Sequence, residues 1–131
     1  MQFMSLYKPG REIYGPPNEQ VMAALEKLIE QETTSGVLVS TGGLLPSSTG
    51  ARVRITDEKL TVTDGPFAET KELIGGYAIL QVNSREEAVA AARRFLKVMG
   101  EGECEIRQMF DSESEPCIGE TVAERRAPAT A

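Results

Sequence analysis

The chain contains no histidine. That removes the commonest general base and a common metal ligand. A Ser-His-Asp or Cys-His mechanism within one chain is excluded, and so is a histidine-ligated metal site. Cysteine is scarce: Cys104 and Cys117 form no close-spaced pair and no framework, so both read as free thiols of a reducing compartment. No apolar run approaches the roughly 20 residues that a membrane span needs. Met1 leads straight into a strand-like run, without the basic and long apolar regions of a secretory leader. Dense basic tracts are also missing. With net charge −6 and a pI near 4.8, the chain is poorly suited to nucleic acid, where neutralising phosphates supplies most of the affinity. No basic amphipathic helix favours a membrane surface. The expected location is cytoplasmic, with no cofactor and no metal.

What is present is enough for one domain. The chain has 131 residues, 40% hydrophobic and 26% charged, and can bury a core without metals or disulfides. Residues 2–7 read as a strand and 8–17 as a Pro/Gly loop. A helix starts at the N-cap Asn18, with Val21, Leu25, Leu28 and Ile29 on one face. Val37, Leu38 and Val39 form a short strand, and Gly42-Gly43 and Pro46-Ser47-Ser48 break the chain. Residues 51–63 alternate as a hairpin turning at Asp57-Glu58. Residues 77–82 are a strand, and Ser84 with Glu87 is a capping box opening a second helix. Gly100 and Gly102 end that helix, and residues 103–110 form a last strand. The domain is expected to span 1–110. The polar, proline-interrupted tail at 111–131 is expected to be mobile or to lie on a partner subunit.

Setting the hairpin aside, the order is α+β, ferredoxin-like βαββαβ. Two helices cover one face of such a sheet. Alternation places Ala78, Leu80, Val82 and Ile106 under them and Tyr77, Ile79, Glu105 and Met109 on the open face. That open face is too apolar to stay wet comfortably, so a homodimer packing sheet against sheet, a dimeric α/β barrel, is expected.

The densest run of chemistry is Asp64-Gly65-Pro66-Phe67-Ala68-Glu69-Thr70-Lys71-Glu72, followed by Gly75-Gly76-Tyr77. Asp caps turn amides, Gly permits φ above zero and Pro fixes φ. The plainer reading is that Asp64 holds the turn and Phe67 plugs the core. The functional reading sets the Asp64 carboxylate at a pocket mouth as acceptor or general base. Glu69, Lys71 and Glu72 fit a solvated charged loop, or an acid and base that tune one another. Arg52 and Arg54 project from one hairpin face, as edge protection or as an anion clamp. Arg107 and Glu105 are expected to pair on the sheet face, and Tyr77 to be a core or interface aromatic. Ser40, Thr41 and Gly42-Gly43 offer only a weak anion site.

Residues 36–110 resemble the YCII-related proteins of the DGPF type. The resemblance is carried by Gly43-Leu44, Ala51-Arg52-Val53-Arg54, the run from Val62-Thr63 through Glu72, Gly75-Gly76-Tyr77 and Glu105-Ile106-Arg107. It implies the dimeric α/β-barrel fold, and a stress or sigma-factor-associated context without a defined reaction. Two departures bear on chemistry. Distant members carry a His/Asp pair, and this chain has no histidine. Many relatives have an acidic residue where this chain has Gly42. The expectation is a homodimer that binds a small polar or anionic molecule near the signature loop. Asp64, Glu69 and Lys71 are the candidates for metal-independent acid–base chemistry, and Arg52, Tyr77 and Arg107 for ligand binding. The alternatives are a non-enzymatic accessory protein and a member that has lost catalysis.

Overall fold

A computed structural model describes residues 1–67 and 73–110. Strand β1, Gln2–Lys8, alternates as the pleat demands: Phe3, Ser5 and Tyr7 are buried and the residues between them half-buried. Helix α1, Glu19–Thr34, is capped by Asn18, whose Oδ1 accepts from the Val21 amide at 2.8 Å. Strand β2, Leu38–Gly43, leads through a short 3-10 turn at Ser47–Thr49 into a hairpin. The hairpin strands are β3, Ala51–Thr56, and β4, Lys59–Asp64. Strand β5, Gly76–Gln81, helix α2, Arg85–Met99, and strand β6, Glu103–Gln108, complete the described order.

The main sheet runs β2-β5-β1-β6, with each described pairing antiparallel, and β3-β4 form a separate two-stranded sheet. This is the expected βαββαβ arrangement with its inserted hairpin. The core joins Phe3, Leu80, Val82, Ala88 and Ala91, with Ala78 and Ile106 packed against it. The side chains assigned to the helix-covered face are therefore the ones found there. Tyr7 meets Phe95 of α2 edge to face, with centroids 5.0 Å apart. On the other face, cross-strand rows run Tyr77–Leu6–Glu105 and Ile79–Met4–Arg107.

Three local details differ from the sequence reading. Strand β2 continues through Gly42 and Gly43 instead of breaking there, because both pair with β5. Gly42 serves close approach: a Cβ on it would lie 2.9 Å from the Tyr77 ring, whereas one on Gly43 would meet nothing within 4 Å. In the capping box, Ser84 Oγ accepts from the Glu87 amide at 3.2 Å, but the Glu87 carboxylate reaches the amide of Asn83 at 2.8 Å, one residue before the cap. The third concerns α1. Helix α2 buries Ala88, Ala91 and Ala92, whereas α1 buries none of its residues. The tail at 111–131 lies outside the described residues. Among the described residues no helix is long and apolar enough to cross a membrane.

Candidate functional site

The first half of the signature run forms the base of the hairpin. Asp64 ends β4 opposite Ala51 and is exposed. The Gly65 amide donates to the Gly50 carbonyl at 2.9 Å, and the Gly65–Pro66 peptide is cis. Gly65 does not take the positive φ expected of it. Its requirement is space: a Cβ there would sit 1.8 Å from the Ser47 carbonyl oxygen. The Phe67 amide donates to Ser47 Oγ at 3.1 Å, and the Ser47 hydroxyl in turn donates to the Glu12 carboxylate. That carboxylate also accepts from the Ser47 amide at 3.2 Å. The turn is thus tied through Ser47 to the loop between β1 and α1. Phe67 is half-buried, and the Arg52 guanidinium stacks on its ring at 4.1 Å.

The sequence-derived candidates fall into separate places. Arg52 and Asp64 stand at the hairpin base on opposite faces of the ribbon, since Arg52 pairs with Thr63 and Asp64 with Ala51. Tyr77 and Arg107 share the open face of the main sheet, on the strands that flank β1. Arg107 Nη1 pairs with Glu105 Oε2 at 3.3 Å, and Lys8 Nζ with Glu105 Oε1 at 3.0 Å. The hydrogen bond from Lys8, then that from Arg107, holds the Glu105 carboxyl below the usual range. The Thr41 hydroxyl donates to the Tyr77 carbonyl at 2.8 Å, so it is already engaged. Glu69, Lys71 and Glu72 lie outside the described residues.

A sizeable cavity lies elsewhere, under the helices. It holds about 810 Å³ between α1, α2 and the helix-facing side of the sheet. Its walls include Met22, Leu25, Leu28 and Ile29 of α1 and Phe95 and Met99 of α2. The floor includes Ser5, Tyr7, Ala78 and Leu80, and Ile13 to Pro17 with Leu44 and Leu45 border it. Of the four described candidates only Tyr77 borders it, although its side chain belongs to the opposite face of the sheet. The apolar stripe of α1 was visible in the sequence. Periodicity shows which side of a helix faces inward, not how far it stands from the sheet.

Several polar groups of this cavity already have partners in the chain. The Tyr7 hydroxyl donates to the Glu101 carbonyl at 2.9 Å, and burial raises the phenol's pKa. Glu32 accepts from Arg94 Nε, which ties α1 to α2. Ser5 is hydrogen-bonded to Cys104, whose thiol pKa burial pushes up. A molecule held in such a space would be held by burial of apolar surface and by shape, with little charge to meet. Among the described residues no group of three or more His, Cys, Asp or Glu is placed to hold a metal.

Comparison with known proteins adds three findings. The profile of the YCII-related domain matches residues 1–112. An uncharacterised protein of Rhizobium meliloti (strain 1021) is 34% identical over 76 residues, which make up 58% of this chain and 61% of that relative. The match thus spans about three-fifths of the relative's length. Among solved structures, 5-chloro-2-hydroxyhydroquinone dehydrochlorinase from Burkholderia phenoliruptrix AC1100, in complex with 2,5-dihydroxybenzoquinone, is similar at a TM-score of 0.42 and 13% identity. That comparison covers 86% of this chain and 97% of the other, a likeness too distant to bear on chemistry.

Proposed function

This chain belongs to the YCII-related family, and from that premise and the space beneath its helices we propose that it binds a neutral, largely apolar small molecule between α1, α2 and the sheet. The single observation that carries this reading is the cavity of about 810 Å³ with apolar walls. Its size is that of sites for drug-sized ligands, commonly about 300–1,000 Å³. The geometry favours it over the polar or anionic ligand expected near the signature loop. Arg52 is committed to Phe67 and Arg107 to Glu105, and neither lines the cavity. In this reading the signature turn is a support. Through Ser47 it holds Glu12, the neighbour of Ile13 at the cavity border.

The protein works as a homodimer in the same reading, joined through the open face of the sheet. Met4, Leu6, Tyr77 and Ile79 form a half-buried apolar panel there, and both helices pack on the opposite side.

A fluorescence titration with the neutral probe N-phenyl-1-naphthylamine tests the cavity. The expected result is saturable binding in the micromolar range. A cavity-filling Leu28→Trp variant should bind at least tenfold more weakly while keeping its circular dichroism spectrum and melting temperature. Absence of saturable binding by the unaltered protein, or full binding by the filled variant, overturns the assignment.

A further inference from the structure

The β3-β4 hairpin forms a sheet of its own. Its register sets Val53 opposite Val62 and Ile55 opposite Leu60 on one face, and Arg52 opposite Thr63 and Arg54 opposite Thr61 on the other. The ribbon therefore has a polar side suited to water and an apolar side. Yet the four apolar side chains are between 62% and 68% exposed. An isolated two-stranded hairpin is marginal in water unless one face packs on something. Its turn adds to the difficulty, because Asp57 and Glu58 hold φ of 50° and 68°, in the left-handed region that non-glycine residues disfavour. Four such side chains leave an apolar patch on the order of 400 Å², a size that marks a contact surface on a soluble protein.

We infer that the apolar face of the β3-β4 hairpin is an arm that docks on a second copy of this chain. The inference rests on the homodimer reading and extends it. Area argues for a second copy. The main sheet presents four strands about 4.8 Å apart and about six residues long, a panel of roughly 400 Å². A stable pair needs about 800 Å² from each partner. The panel alone falls short by about half, and the hairpin patch supplies the missing part. Charge agrees. Arg52, Arg54 and Lys59 balance Asp57, Glu58 and Asp64, so the arm is neutral in a chain of net charge −6. Bringing it against another acidic copy adds no like-charge repulsion of its own.

The test is amide hydrogen exchange of residues 51–64 at concentrations on both sides of the mass transition seen by light scattering. The hairpin amides should become at least tenfold better protected as the dimer forms. Thr is close in size to Val and favours strands equally, so Ile55→Thr/Leu60→Thr should keep the hairpin and weaken association at least tenfold. Ile79→Lys, on the open sheet face, should yield monomers whose hairpin exchanges fast. If a dimer forms while the hairpin exchanges equally at both concentrations and Ile55→Thr/Leu60→Thr associates normally, the arm is overturned and the sheet-to-sheet dimer stands. A chain that stays monomeric at every concentration overturns both. Full protection in the monomer assigns the apolar face to its own chain and refutes the arm. Protection gained only on adding an unrelated protein refutes it as well.

Discussion

Gly65 illustrates how a residue can be recognised as special from sequence and still be misread. Its place between Asp64 and Pro66 suggested left-handed backbone, but the structure assigns it a steric role, pressed against the Ser47 carbonyl. No side chain fits without moving the 3-10 turn, and moving that turn releases the links from Phe67 and Glu12 to Ser47. Gly65→Ala should therefore cost about 3 kcal/mol or more, the range of substitutions that force backbone apart. Gly15→Ala, with nothing within 4 Å of its Cβ, should stay within about 0.5 kcal/mol. Urea denaturation of the pair measures the difference. Ser47 and Glu12 themselves were not singled out from the sequence. They lie 35 positions apart, and nothing local marks either one. Gly42, by contrast, was noted as a departure from the family, and its reason is now physical. Any side chain there requires the Tyr77 ring to move.

At the scale of elements, the two helices look alike in sequence and differ in how they are held. Both have an apolar stripe and a polar N-cap. Helix α2 is closed down by three small residues, Ala88, Ala91 and Ala92, which let its backbone approach the sheet. Helix α1 presents Leu25, Leu28 and Ile29 instead, and these bulky side chains line the cavity without filling it. Burial of apolar surface is what stabilises a helix of this length in water, so α1 should be the looser of the two. Amide exchange should show α1 opening at least tenfold faster than the central turns of α2, and saturation with the naphthylamine probe should slow α1 selectively. Equal protection of both helices without ligand would contradict the packing argument.

For the molecule as a whole, a sheet with two helices on one side has one face left to cover. The rows Tyr77–Leu6–Glu105 and Ile79–Met4–Arg107 mix apolar side chains with an ion-paired border, and the proposed homodimer would cover them. Light scattering should report twice the chain mass at micromolar concentration, and Ile79→Lys should halve it by placing an unpaired charge at the centre of the contact. The cavity opens on the opposite side of the same sheet. Ligand binding should therefore survive in the Ile79→Lys monomer if the cavity is complete within one chain.

Read by itself, the sequence determined the order of elements, the faces of the strands and the exclusion of histidine chemistry. Those follow from local rules: a period of two in strands, capping at Asn18 and Ser84, and residue chemistry that no fold can supply. Only the tertiary structure decided where a cavity opens and what the signature turn holds. The cavity depends on the distance between α1 and the sheet, and the tie from Phe67 through Ser47 to Glu12 on the approach of three segments remote in sequence. Separations of that kind are set by how whole elements pack, and no periodicity within any one of them encodes it.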